Sequence, residues 1–80
     1  MRPLSPAHVA FGDEVRKRRQ ELKWSQEKLS ITCGLHLSYV GQVERGQRNL
    51  SLTNILKIAA ALETPPSVLV KSVEGLTFEG

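Results

Sequence analysis

A single cysteine, Cys33, leaves no disulfide framework and no cysteine-based metal quartet. Histidine is almost as scarce: His8 and His36 stand far apart, and no Ser-His-acid set is legible around either. There is no glycine-rich phosphate loop, and Asp13 with Glu14 reads as an acidic pair near a helix start rather than a catalytic couple. Four aromatics (Phe11, Trp24, Tyr39, Phe78) are too few for a platform that stacks single-stranded bases. No apolar run approaches ~18 residues, and no signal-peptide core follows the first residues. These absences argue against an enzyme, a resident metal or cofactor and a membrane partner, and they predict a cytoplasmic protein.

What is present fits one small domain. Eighty residues, 40% apolar and 24% charged, suit one compact unit whose core is marginal, so association with a second copy is an attractive source of buried area. The charge is unevenly placed. From Arg16 to Arg48 eight basic residues face three acidic ones, a net +5, while the rest of the chain nets −2. A basic block of that kind suits a polyanionic partner.

The block coincides with two short helices and a tight corner. Ser25 is an N-cap, Gln26 opens the first helix, and Leu29, Ser30 and Cys33 follow at helical spacing. Gly34 supplies a stop that tolerates positive φ, and Leu35 is an apolar plug at the corner. A second helix runs from about His36 to Arg45, with Val40 and Val43 inward and Gly46 as its stop. Small and glycine residues at a steep corner, flanked by apolar positions at this spacing, define a helix-turn-helix. At ~100° per residue, Ser38, Gln42 and Arg45 project opposite Val40, with Gly41 beside them, as donors and acceptors suited to base edges in a major groove.

The run SQEKLS, then GL, SYVGQVERGQRNLSL and ILKIAAAL, resembles the lambda-repressor-like (Cro-type) helix-turn-helix regulators. Within them it is most similar to the short regulators that include restriction–modification controller proteins. The likeness spans roughly Phe11 to Val70. It implies an all-α, five-helix bundle with helices 2 and 3 as the helix-turn-helix, binding duplex DNA to regulate transcription. The other reading of the same fold is an antitoxin or another protein-interaction module. Carried over by position, the resemblance places Gln26 on a phosphate at the helix 2 N-terminus and puts His36, Leu37, Ser38, Tyr39, Gln42 and Arg45 on DNA. The loop with Arg48 and Asn49 then follows the phosphate backbone. Leu37 departs from a strong reader, because an apolar side chain there can touch only a thymine methyl or a sugar edge. Glu44 sits ~40° from Val40, so its carboxylate needs a partner; the resemblance pairs it with Arg19. Glu27 has two readings, a favourable charge at a helix N-terminus and, by resemblance, a contact for a polymerase sigma subunit.

Around this motif, residues 1–7, with Pro3 and Pro6, read as a flexible arm, and residues 8–74 as the domain. Helix 1 is predicted from about His8 to Lys23, its stripe carried by Phe11, Val15 and Leu22, with Arg18 and Arg19 leaning inward. Helix 4 is predicted over Leu52 to Leu62, apolar enough to be buried on most sides. Helix 5 is predicted to start at Pro65 or Ser67, and residues 75–80 form a tail. Val68, Leu69, Val70, Val73, Leu76 and Phe78 offer more apolar surface than a short terminal helix can bury alone. A C2 homodimer is therefore expected through Leu62, Val68, Leu69, Val73 and Phe78, with Leu69 at its centre, on an inverted repeat.

Overall fold

Local capping chemistry sets where each helix begins. The computed structural model describes residues 2–76, and the chain folds there into α1 (Pro6–Glu21), α2 (Gln26–Cys33), α3 (Leu37–Glu44), α4 (Leu52–Ala61) and α5 (Pro66–Lys71). Ser5, Ser25 and Ser51 each stand in extended backbone and accept an N–H of the first turn of α1, α2 and α4. The fold is all-α with the helix-turn-helix in α2 and α3.

The N-terminal boundary differs from expectation. Pro6 is the first residue of α1 rather than part of an arm, because a missing N–H and a fixed φ suit a helix's first position. Ser5 is buried, and the Leu4 N–H donates to the Gly46 carbonyl at 2.8 Å, so the segment expected to be loose is tied down by residue 4. Asp13 and Glu14 consequently sit beyond the first turn, where they do not serve the dipole. At the other end of the chain α5 starts on Pro66, with Pro65 as its cap. Phe78 and the rest of the tail beyond Leu76 lie outside the described residues.

The core draws on every helix: Phe11 and Val15 from α1, Leu29 and Cys33 from α2, Val40 and Val43 from α3, Ile58, Ala59 and Ala61 from α4 with Leu62 just after it, and Leu69 from α5. Two expected interface residues are thereby corrected. Leu62 and Leu69 are each 0% exposed, filling the protomer's own interior, where burial of such a side chain is worth ~1.5–3 kcal/mol. Conversely α4 is not buried on most sides, since Leu52 and Leu56 are exposed.

α1 crosses α3 at very close range. A Cβ on Gly12 would stand 2.3 Å from the Val43 carbonyl oxygen and 2.7 Å from that of Glu44, so only glycine fits. Arg18 reaches the end of α4. Its Nε donates to the Leu62 carbonyl at 2.9 Å and its Nη2 to that of Glu63 at 3.4 Å. A cation there satisfies the unpaired carbonyls at the end of α4 and opposes its dipole.

Candidate nucleic-acid interface

The corner that aims α3 is built from local bonds. Gly34 takes φ +75, and its N–H donates to the Ser30 carbonyl at 2.9 Å, closing α2. The Ser30 hydroxyl then donates to the Leu35 carbonyl, so this position needs a hydroxyl as well as small size. His36 caps α3: its Nδ1 accepts the Ser38 N–H at 3.2 Å and lies 2.9 Å from the Ser38 Oγ. Accepting from a backbone N–H leaves the proton of the neutral ring on Nε2.

Outward from this corner α3 presents Leu37, Ser38, Gln42 and, at its C-cap, Arg45, with Gln42 half-buried and the other three exposed. The Nε of Arg45 donates to the Gln47 Oε1 at 3.0 Å. Tyr39 is half-buried with its ring packed on the core, and the Arg48 guanidinium lies 5.0 Å above that ring. The Tyr39 hydroxyl accepts from the Asn54 Nδ2 at 3.1 Å, which leaves its own proton for an outside acceptor. Asn49 is exposed beside Arg48.

Beneath this face lies a buried charge network. The Glu44 carboxylate is fully buried; Oε2 accepts from the Arg19 Nε at 2.6 Å, and Oε1 from the Arg19 Nη2 at 2.9 Å. This is the fork-to-fork geometry in which arginine and carboxylate pair best. The Gln26 Nε2 donates to Oε1 at 3.1 Å, and the Arg16 Nε stands 3.5 Å from it. Arg16 also donates to the Glu44 carbonyl at the end of α3, and Arg19 to the Trp24 carbonyl. Burial alone pushes the Glu44 carboxyl up. The hydrogen bonds from Arg19 and Gln26, with the charges of Arg19 and Arg16, overcome this and hold it below the usual carboxylate range.

Gln26 therefore spends its amide N–H on Glu44 rather than pointing wholly outward. Of the four consecutive basic residues, Arg16, Arg18 and Arg19 serve the fold, and Lys17 is the exposed one. Sequence reasoning missed the roles of Arg16, Arg18, Asn54 and Gly12. Arg18 carried a signal, since it falls seven residues after Phe11 and three after Val15, on the core stripe. Glu27 is exposed in the first turn of α2. Val68 is exposed, while Val73 is half-buried against the core. Val70 and Val73 line an apolar groove of about 180 Å³ with Phe11, Leu50 and Ile55. Among the described residues no helix is long and apolar enough to cross a membrane.

Comparison with known proteins agrees with this geometry. The helix-turn-helix family model matches residues 15–69. Control protein C.BamHI of Bacillus amyloliquefaciens is 48% identical over 63 residues, which cover 78% of each chain. The crystal structure of the restriction–modification controller protein C.AhdI from Aeromonas hydrophila superposes with a TM-score of 0.76 at 53% identity, covering 78% of this chain and 94% of that one. The P22 c2 repressor in complex with a synthetic operator superposes with a TM-score of 0.72 at 31% identity, again covering 78% and 94%. The chain belongs to the helix-turn-helix family of DNA-binding transcriptional regulators, and within it to the control proteins of restriction–modification systems.

Proposed function

We propose that the protein binds an inverted-repeat operator as a C2 homodimer and sets the transcription of restriction–modification genes by activation and repression. The observation that carries this is the outward face of α3. Ser38, Gln42 and Arg45 stand on it together, rigidly backed by Val40, Val43 and the buried Glu44. Base edges fall to Ser38, Gln42 and Arg45, with Leu37 on a thymine methyl. Phosphates fall to the helix 2 end at Gln26, to His36 through Nε2, to the Tyr39 hydroxyl, and to Arg48 and Asn49. The solved repressor–operator complex of the P22 relative supports the same use of the fold.

Dimerisation in this reading uses the outward side of α5, Val68 and Val70 with Val73, together with the groove beside them, and sets two α3 helices ~34 Å apart. Glu27, exposed on α2, is proposed as the acidic contact for a polymerase sigma subunit; a Glu27→Gln protein that binds its operator and still activates would end that part. Selection of sites from random duplexes tests the whole reading, and a two-fold symmetric preference is the expected result. Gln42→Ala should lose ~1–3 kcal/mol on the selected site and relax one or two base pairs. Equal losses on selected and random duplexes would show that Gln42 touches only the backbone.

A further inference from the structure

The recognition helix carries a glycine at its fifth position, where neither turn nor backbone conformation calls for one. Gly41 lies within α3 and has no positive φ. Glycine inside a helix is destabilising relative to alanine, so its presence on a functional face asks for a reason. Core packing does not supply it. The three atoms nearest a Cβ built there are the Arg45 Nη1 at 3.1 Å, the Arg45 Nη2 at 3.7 Å and the Gln26 Oε1 at 3.7 Å. Gly41 is nevertheless buried, although it belongs to the outward side of α3; the Arg45 guanidinium lies against it.

Arg45 thus runs back one turn along α3, the direction helical side chains favour, and its Nε is tethered by the Gln47 Oε1 at 3.0 Å. Its charged end rests against Gly41 at the middle of the recognition helix, not at the C-terminal end where its Cα lies. One helical turn advances about 5.4 Å, against about 3.4 Å per base-pair step. Where the guanidinium is seated along α3 therefore decides which base pair it can reach.

We infer that Gly41 is a positioning residue for specificity: by lacking a side chain it provides the seat that fixes the Arg45 guanidinium over one base pair, a guanine edge being the class it fits. This rests on the reading of Arg45 as a base contact. A methyl group at position 41 would press on the far end of a flexible side chain and on no backbone atom among those three neighbours. Gly41→Ala should therefore fold, with a melting temperature equal to or above that of the parent.

The test measures binding of the full chain to its selected duplex and to random duplex for Gly41→Ala, Arg45→Ala and the double variant. Salt is kept low enough for the weakest to be measured. Gly41→Ala should lose about tenfold on the selected duplex, change the base preferred at one position in a repeated site selection, and leave random binding within about twofold. In the Arg45→Ala background the same substitution should change affinity by less than about twofold. Unchanged affinity and preference in Gly41→Ala would overturn the inference. So would an equal loss with and without Arg45, which would mean that the glycine admits the helix backbone to the groove. The reading of Arg45 fails separately, if Arg45→Ala alone weakens selected and random duplexes alike.

Discussion

Glu44→Gln is the substitution whose cost the structure defines most fully. It keeps the volume and removes the charge from a side chain with no exposure, facing Arg19, whose side chain is 12% exposed. Two bidentate bonds at 2.6 and 2.9 Å are disrupted, and an amide N–H₂ is set against guanidinium donors. An exposed pair would be worth ~0.2–1 kcal/mol; breaking a buried one by removing a single partner costs ~3–5 kcal/mol, because the other charge stays buried and uncompensated. A domain of this length has roughly 4–12 kcal/mol in total. The loss should lower the melting temperature by at least ~12 °C, at ~4–8 °C per kcal/mol. Thermal and urea unfolding followed by circular dichroism at pH 7 measure it. Arg19→Met with Glu44→Leu should recover much of the loss, since apolar replacement of both partners removes the stranded charge. A Glu44→Gln shift below ~3 °C would refute the reasoning.

The same carboxylate carries a pH signature. Its folded pKa is depressed against an unfolded value of ~4.3, so the unfolded chain binds more protons in the window below that value. The contribution is complete above ~4.3 and is lost as pH falls through the folded pKa. Wild type and Glu44→Gln should therefore converge in stability as the solution is acidified below that point.

Gly12→Ala places a methyl group on two carbonyl oxygens of α3 and should destabilise by about 3 kcal/mol in urea unfolding; a cost under ~1 would mean that α1 and α3 part freely. Arg48→Ala should lower the salt slope of operator binding by about one while Arg18→Met leaves it unchanged, and the reverse result would exchange their roles. Val70→Glu should stay folded and sediment as a monomer, whereas Leu69→Ala should cost ~2–5 kcal/mol of stability. A Val70→Glu protein that still dimerises would move the interface away from the groove.

The motif was legible because its determinants are local. Ser25 as cap, Gly34 as stop and the spacing of Leu29, Val40 and Val43 each act within a turn or two of the chain. The start of α1 was not legible in the same way, since Pro6 reads equally as a breaker and as a first helical residue, and Ser5 decides between them only when its hydroxyl is seen on His8. Leu69 failed for another reason. In a six-residue helix of mostly apolar side chains, periodicity cannot say which one turns inward until α1 and α4 are in place. Leu52 and Leu56 make the same point from α4, whose composition suggested burial that its packing does not give. The fates of Arg16 and Arg18 depend on carbonyls 28 and 44 residues away, which no local pattern contains.

That division of the arginines bears on how the protein meets DNA. Pairing does not erase charge at a distance: the segment from Arg16 to Arg48 still nets +5, so its field draws a polyanion toward α2 and α3 whatever each guanidinium touches. Counterion release, in contrast, counts only cations that reach a phosphate. Arg19 is held on Glu44 and the Trp24 carbonyl and Arg18 on the end of α4, so neither is placed for that role. In the reading proposed above the contacts fall instead to a smaller set led by Arg48, and to hydrogen-bond donors such as the Tyr39 hydroxyl. That reading has attraction and grip carried by different residues. A variant at position 19 or 44 that loses binding should therefore be checked for folding first, because those two side chains form the buried pair under α3.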